Sequence, residues 1–285
     1  MPQRSEYQRQ RQQIRTAFGK AAGGYDAVAA LQREVADRML EQFQYERITP
    51  QRILDVGAGT GYGSRGLEKR FGKSQVVALD LAEGMLQQAK QQKRWLSKQR
   101  FLCGDAQQLP LADESVDLIF SNFTLQWCSD LQTVFREFRR VLRPGGLLTF
   151  STVGGDTLHE LRSAWAAVDD APHVNDFLDL RQVGDGLLAE GFQEPVTSVD
   201  RFSLNYSSVV ALMRDLKGLG ANHVEQRRTG LMGRATLRQL EQAYPERTAE
   251  GEVVASWEVV YGHAWRGDGF VEPKPFSFSL KDFNT

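Results

Sequence analysis

Residues 52–66 read Arg-Ile-Leu-Asp-Val-Gly-Ala-Gly-Thr-Gly-Tyr-Gly-Ser-Arg-Gly, and most of the chain can be laid out from this one stretch. The apolar run Ile53 to Val56 enters Gly57, Gly59 and Gly61 directly, the pattern of a strand feeding a glycine turn that opens a helix. Glycine is required where the backbone turns tightly and where a ligand must touch the main chain. The next apolar run, Gln75 to Leu79, ends in Asp80, 19 residues after Gly61. An acid at that spacing accepts hydrogen bonds from both hydroxyls of a ribose. Strand, glycine loop, helix, strand and acid describe a nucleoside-binding α/β half-domain.

The alternation continues outward from this unit. Upstream, Ala27–Phe43 carries Leu31, Val35, Met39 and Leu40 on one helical face. Downstream, 63–70 and 83–94 read as helices, and 100–103 and 116–121 as strands. An amphipathic helix over 131–142 stops at Arg143-Pro144-Gly145-Gly146, and a fifth strand covers 146–152. Strands alternating with helices imply a parallel sheet covered on both faces. After the fifth strand, 156–168 and 181–190 read as helices, and 195–204 and 252–265 as strands that pair at the sheet edge. Between those two strands lie residues 205–251, with helical signals at 208–219 and 234–244. An insertion there lies above the carboxyl ends of the strands, where open α/β sheets bind ligands, and reads as a substrate lid. The expected fold is therefore α/β, Rossmann-like and doubly wound, with seven mostly parallel strands and a helical lid between the last two. The organisation expected is an N-terminal helical segment (1–45) over the ligand site, a core (46–204), the lid (205–251), the last strand (252–266) and a tail (267–285).

Composition fits a globular protein: 285 residues, 41% hydrophobic and 25% charged, ample for a sizeable core. The net charge of −1 supplies no global field toward nucleic acid or membrane. No apolar run approaches the ~18 residues of a membrane-spanning helix. Residues 2–13 are rich in Gln and Arg and lack the apolar core of a signal peptide. Cys103 and Cys128 form no metal motif and read as reduced core thiols, which points to a cytoplasmic protein.

The glycines discriminate between nucleosides. The dinucleotide pattern G-x-G-x-x-G fails at the strand end, because position 62 is Tyr, and is met only in a shifted register from Gly61. The pattern at the strand end is G-x-G-x-G. With Ala-Leu-Asp-Leu-Ala-Glu-Gly-Met-Leu (78–86), Gly-Asp-Ala-Gln-Gln-Leu-Pro (104–110), Ser-Val-Asp-Leu-Ile-Phe-Ser-Asn (115–122) and Val-Leu-Arg-Pro-Gly-Gly (141–146), it resembles the class I S-adenosylmethionine (SAM)-dependent methyltransferases. Three further stretches resemble one branch of that family, the malonyl-acyl-carrier-protein O-methyltransferases of biotin synthesis. These are Ala17-Phe-Gly-Lys-Ala-Ala with Tyr25, Asn122 with Gln126-Trp127-Cys128, and Met213-Arg-Asp-Leu-Lys-Gly-Leu-Gly-Ala-Asn-His. The likeness spans about residues 14–266 and leaves out the tail.

The resemblance implies SAM as co-substrate and no metal. It gives Gly57, Ala58, Gly59 and Gly61 the methionine part, Asp80 the ribose, Leu81 a face of the adenine, and Asp105 with Ala106 the adenine edge. Asn122 falls near the methyl group. Asp55 either orients the glycine loop or meets the amino group. On the substrate side, Tyr25 folds over the cofactor, and Trp127 and Phe123 wall the acyl site. A malonyl thioester presents a free carboxylate, which an arginine fork suits. Arg214, three residues from Lys217 and on the same helical face, is the expected anchor. Acyl-carrier protein bearing malonate is the implied partner, and since carrier proteins are acidic, Arg227, Arg228, Arg234 and Arg238 are an expected docking cluster. No general base is expected, because a carboxylate nucleophile with a pKa near ~4 is already ionised at neutral pH. The four histidines make no metal spacing; His223, which ends the lid motif, is weighed for a substrate role but is not counted among the expected site residues, and His159, His173 and His263 read as structural. Two other readings stand beside this one: a methyltransferase for another small carboxylic acid, and a SAM-fold assembly factor without this activity. An oxidoreductase survives only through the shifted glycine register.

Overall fold

A computed structural model describes residues 2–46, 48–175, 177–219 and 233–267. Seven strands form one sheet: β1 (Arg52–Val56), β2 (Gln75–Asp80), β3 (Arg100–Cys103), β4 (Val116–Asn122), β5 (Leu142–Val153), β6 (Phe192–Tyr206) and β7 (Val253–Arg266). Their spatial order is β3-β2-β1-β4-β5-β7-β6. The first five run parallel, and β7 is antiparallel to both its neighbours, β5 and β6. The chain is thus the mostly parallel, doubly wound α/β fold expected. Strand order reverses between β1 and β4, which leaves a crevice at their carboxyl ends.

The helices are α1 (Pro2–Ala21), α2 (Tyr25–Val28), α3 (Ala30–Gln42), α4 (Tyr62–Arg70), α5 (Glu83–Gln91), α6 (Leu131–Val141), α7 (His159–Ala166), α8 (Leu180–Ala189), α9 (Val209–Gly218) and α10 (Arg234–Ala243). Strand side chains alternate in direction, so each strand feeds two cores. Ile53, Leu118 and Phe120 point into the core shared with α3, α4, α7, α9 and α10. Leu54, Ile119 and Leu148 point into the core shared with α6 and α8. The second core is dominated by Val134, Phe135, Phe138 and Val141, one stripe of α6, which Asp130 starts by accepting from the Thr133 amide.

Three local expectations are corrected. The single helix over 27–43 breaks at Ala29 (φ −86°, ψ 37°). The break is held because Asp26 accepts from Thr60 Oγ1 at 2.6 Å and from Gln92 Nε2 at 2.7 Å, which ties α2 to the glycine loop and to the end of α5. The fifth strand starts at Leu142, through Pro144 and Gly145, with a register shift between Val116 and Leu118 where Arg143 pairs with Asp117 at 2.8 Å. Cys103 is exposed and not a core thiol, because it ends β3 at the sheet edge.

Since β6 runs in the same direction as β5, it ends at the carboxyl side of the sheet, and the insertion begins there. Val209 and Leu212 of α9 and Leu240 of α10 are fully buried in the first core, which also takes in Val253 and Trp257 of β7. The insertion is therefore packed onto the first core. Residues 220–232 and 268–285, which include His223, Arg227, Arg228 and the tail, lie outside the described residues.

Candidate active site

The glycine loop is shaped by its neighbours. Gly57 and Ala58 both donate their amides to the Leu79 carbonyl, at 2.8 and 2.9 Å, which folds the loop back over β2. Gly57 sits at φ +71°, and a Cβ there would fall 1.9 Å from Thr124 Oγ1, so only glycine fits. Asp80 accepts from the Gly59 amide at 2.9 Å and from the Ala82 amide at 2.7 Å. One carboxylate thus fixes the loop and the start of α5, with lone pairs remaining for a ligand. Burial pushes the Asp80 carboxyl up to about 6, against the pull of those two amides.

A cavity of about 810 Å³ opens over this loop. Gly57, Gly59, Asp80, Leu81, Asp105, Ala106, Asn122, Tyr25 and Trp127 all line it, so nine of the predicted side chains and backbone positions meet in one place. Asp55 and Ala58 instead line a small adjoining recess behind the loop. Asp55 is almost fully buried and accepts from Ser64 of α4; burial first, and then the Asp80 charge, raise its carboxyl to about 7 against that hydrogen bond. Of its two expected roles, orienting the loop is the one these contacts support. Gly61 lines neither space and begins α4 in the left-handed conformation, φ +82°.

The roof of the cavity is α1. Tyr7, Arg11, Ile14 and Phe18 recur at spacings of four, three and four, one face of a helix, and all four line the cavity. Asp105, expected to meet adenine, is already engaged: Tyr7 donates its hydroxyl to Oδ2, Arg11 Nε lies 3.0 Å from the same atom, and the Gln107 amide donates to Oδ1 at 2.9 Å. Asn122 is fixed on both sides, donating to the Gln32 carbonyl at 2.9 Å and accepting from Ser151 Oγ at 2.7 Å. Burial, then the nearby Asp105 charge, pushes the Cys128 thiol up to about 12, so this cavity-lining cysteine is no thiolate nucleophile at neutral pH.

A second cavity, of about 700 Å³, lies beside the first. Phe18, Tyr25, Phe123 and Trp127 line both and form the wall between them. Phe18 meets Trp127 edge to face at 5.2 Å between ring centroids. Phe123 holds φ +52°, a strained conformation for a bulky residue, with its amide donating to Ser151. Leu158, at φ +54°, lines the second cavity too. Non-glycine residues in this region cluster where position matters more than relaxed backbone.

Arg214 is a correction. It is exposed and lines neither cavity, because α9 turns Leu212 into the core and Leu216 toward the second cavity. Lys217 is exposed as well. His173 is a correction in the other direction: assigned to structure, it lines the second cavity. Among the described residues one group has metal-ligand spacing, His159, Glu160 and Glu246. Glu160 there is occupied by the backbone and hydroxyl of Ser256 and lines neither cavity.

A methyltransferase-domain model matches residues 54–150, the stretch that builds the glycine loop, Asp80, Asp105 and Asn122. Malonyl-acyl-carrier-protein O-methyltransferase of Gallionella capsiferriformans is 46% identical over 260 residues, covering 89% of this chain and 90% of that one. The protein of the same name from Xylella fastidiosa is 49% identical, covering 88% and 86%. The chain belongs to the malonyl-acyl-carrier-protein O-methyltransferase family. Among solved structures, YcgJ of Bacillus subtilis matches with TM-score 0.58 and 17% identity over 82% of this chain and 100% of its own. Phosphoethanolamine N-methyltransferase 2 of Haemonchus contortus, in complex with SAM, matches with TM-score 0.53 and 17% identity over 87% and 57%. Likeness at that identity concerns the fold alone.

For a SAM-dependent member of this family the cavity chemistry fits. A glycine cradle that a Cβ would fill lies beside Asp80, a half-buried carboxylate at ribose spacing. Reading the sequence missed Tyr7, Arg11 and Gln32 as site residues. The signal for the first two was present in the four-three-four spacing along α1, masked by the polar residues between. Gln32 had none, since it contributes through its backbone carbonyl and through which face α3 presents after the break at Ala29.

Proposed function

We propose that this chain methylates the free carboxylate of a malonyl thioester carried on acyl-carrier protein, with SAM as methyl donor, an early step of biotin synthesis. One observation carries the reading: two cavities share a wall of Phe18, Tyr25, Phe123 and Trp127, with Asp80 and the glycine loop on one side. When bound, SAM supplies a methyl group on a positively charged sulfur. Gly57, Gly59 and Asn122 hold the methionine end, Asp80 the ribose, and Leu81 with Ala106 the adenine. Asp105 serves adenine by sharing or releasing its bonds to Tyr7 and Arg11.

The aromatic wall has two tasks. It excludes water, and it fixes the line along which a carboxylate oxygen approaches. The substrate acid is ionised at neutral pH, so no side chain need remove a proton. Joining an anion to a cation cancels charge, and a dry apolar enclosure favours that change. Tyr25 fits as part of the wall and not as a base: burial, then the charges of Asp80 and Asp26, hold its phenol well above its ordinary value.

Docking of the acidic carrier is supported by exposed cations on the inserted helices. Arg214 and Lys217 stand three apart on α9, and Arg234 and Arg238 four apart on α10, all exposed. The test is transfer of labelled methyl from SAM to malonyl-carrier protein, with malonyl-coenzyme A and free malonate alongside. Transfer to the carrier-bound acid is expected. No transfer to any of the three, with SAM bound, would leave the fold to an assembly factor.

A further inference from the structure

We infer that the second cavity recognises the free carboxylate of the acyl group through His173, with the indole N–H of Trp257 as a second donor. The inference rests on the carboxyl-methylating function proposed above and names the residues that select for it.

The cavity is mainly apolar, and an ionised carboxylate entering it must find donors to offset its desolvation. Among the described residues that line it, His173 is the one side chain able to carry positive charge. Arg214, the cation expected from the sequence, lies outside. Arg11, on the cofactor side, is engaged by Asp105.

His173 is held as a recognition group must be. Its ring stacks on Trp165 with centroids 3.6 Å apart and planes 9° apart, and Nε2 lies 2.8 Å from Asp169 Oδ1. Two contacts fix the ring and use one nitrogen. In the doubly protonated imidazole Nδ1 is a further donor. The segment that carries it is tied down by Arg162 of α7, which donates to the carbonyls of Asn175 at 3.1 Å and Gly155 at 3.4 Å. Arg162 itself faces the groove on the far side of His173.

Trp257 supplies the independent observation. It is 6% exposed, it lines the cavity, and its Nε1 has no hydrogen-bond partner. Leaving a buried N–H unpaired is unfavourable, and most native groups of this kind are satisfied. A carboxylate in the cavity satisfies it.

The experiment compares two ligands that differ only in the carboxylate. Malonyl-carrier protein and acetyl-carrier protein are titrated into the full-length enzyme saturated with S-adenosylhomocysteine, so that no methyl moves. The parent is expected to prefer malonyl by tenfold or more. In His173→Gln that preference is expected to fall to within about twofold, and in His173→Arg, which keeps a charged donor, part of it returns. Docking of the carrier cancels in the ratio, and unchanged S-adenosylhomocysteine affinity reports an intact cofactor site. Trp257→Phe removes only the N–H and carries the same comparison if loss of the His173–Trp165 stack unfolds the chain. A malonyl preference retained in folded His173→Gln overturns the assignment while leaving the methylation reaction standing. A parent that methylates no malonyl thioester removes the functional reading itself.

Discussion

Replacing Asp80 by asparagine tests the cofactor site where the structure gives most leverage. The side chain keeps its shape, but one of its oxygens becomes an NH₂ group. Gly59 and Ala82 each donate an amide to Asp80, so one of these two bonds is lost or turned repulsive along with the ribose contacts. A hydrogen bond to a charged group is worth roughly 1.5–3 kcal/mol, so SAM affinity should drop about 10- to 150-fold at pH 7.5. The pH dependence gives a second readout. Ribose hydroxyls donate to the ionised carboxylate, so binding favours the charged form. Burial has raised the free carboxyl to about 6. As pH falls below that value the free enzyme protonates first, and SAM affinity should decline by about tenfold per unit, or about 1.4 kcal/mol. Above about 7 the affinity should level off. Asp55, raised to about 7 by burial, titrates nearby, and Asp80→Asn separates the two, because any slope that survives the substitution is not Asp80's. Calorimetric titration of parent and variant from pH 5 to 8 measures both effects. Equal affinities in a folded variant, or the same pH slope in both proteins, would refute the role of Asp80.

Three further outcomes are expected. Gly57→Ala should lower the melting temperature by about 5–10 °C and abolish SAM binding, since the added methyl meets Thr124 at 1.9 Å and φ is +71°; a melting curve and titration matching the parent would contradict the loop geometry. Arg214→Ala should leave turnover of malonyl-coenzyme A within twofold and raise KM only for malonyl-carrier protein, an effect that shrinks with salt, because Arg214 is exposed and outside both cavities; a large loss on the coenzyme A substrate would return it to the acyl site. Arg11→Ala should change stability by less than about 1 kcal/mol, since its side chain is 42% exposed, and should raise SAM affinity severalfold by freeing Asp105; an affinity drop beyond tenfold would mean that Arg11 itself holds the cofactor.

The parallel half of the fold could be read because its signals are local. Strands β2 and β3 fall where hydrophobic runs end in Asp80 and Cys103, and Pro144 with Gly145 marks the end of α6. The inserted helices were legible as periods, but not the direction of their faces. The spacing of Arg214 and Lys217 established that they share a face, whereas which face α9 buries depends on Leu212 joining a core built by elements distant in sequence. The break at Ala29 is likewise set by Thr60 and Gln92 reaching Asp26 from other elements. The aromatic wall joins Phe18 to Trp127 across more than 100 residues, and spacing cannot report such a meeting.

The division of charge between the two cavities follows the reaction. The cofactor side is lined by Asp80 and Asp105, with the buried Asp55 behind the loop; burial raises both Asp55 and Asp80, and the Asp80 charge raises Asp55 further. Carboxyls raised by burial favour a cationic ligand, whose charge draws them back toward ionisation. The second cavity has no acidic side chain among its described lining residues, and its polar groups include His173 and an unpaired indole N–H. In the proposed reaction a sulfonium would sit on one side of the wall and a carboxylate on the other. Exchange of the two charges by the same pockets would set a cation against His173 and an anion against Asp80. On the proposed function the four aromatic rings would let the opposite charges meet only along the line of transfer, where forming the ester removes both and an apolar wall lowers the barrier most.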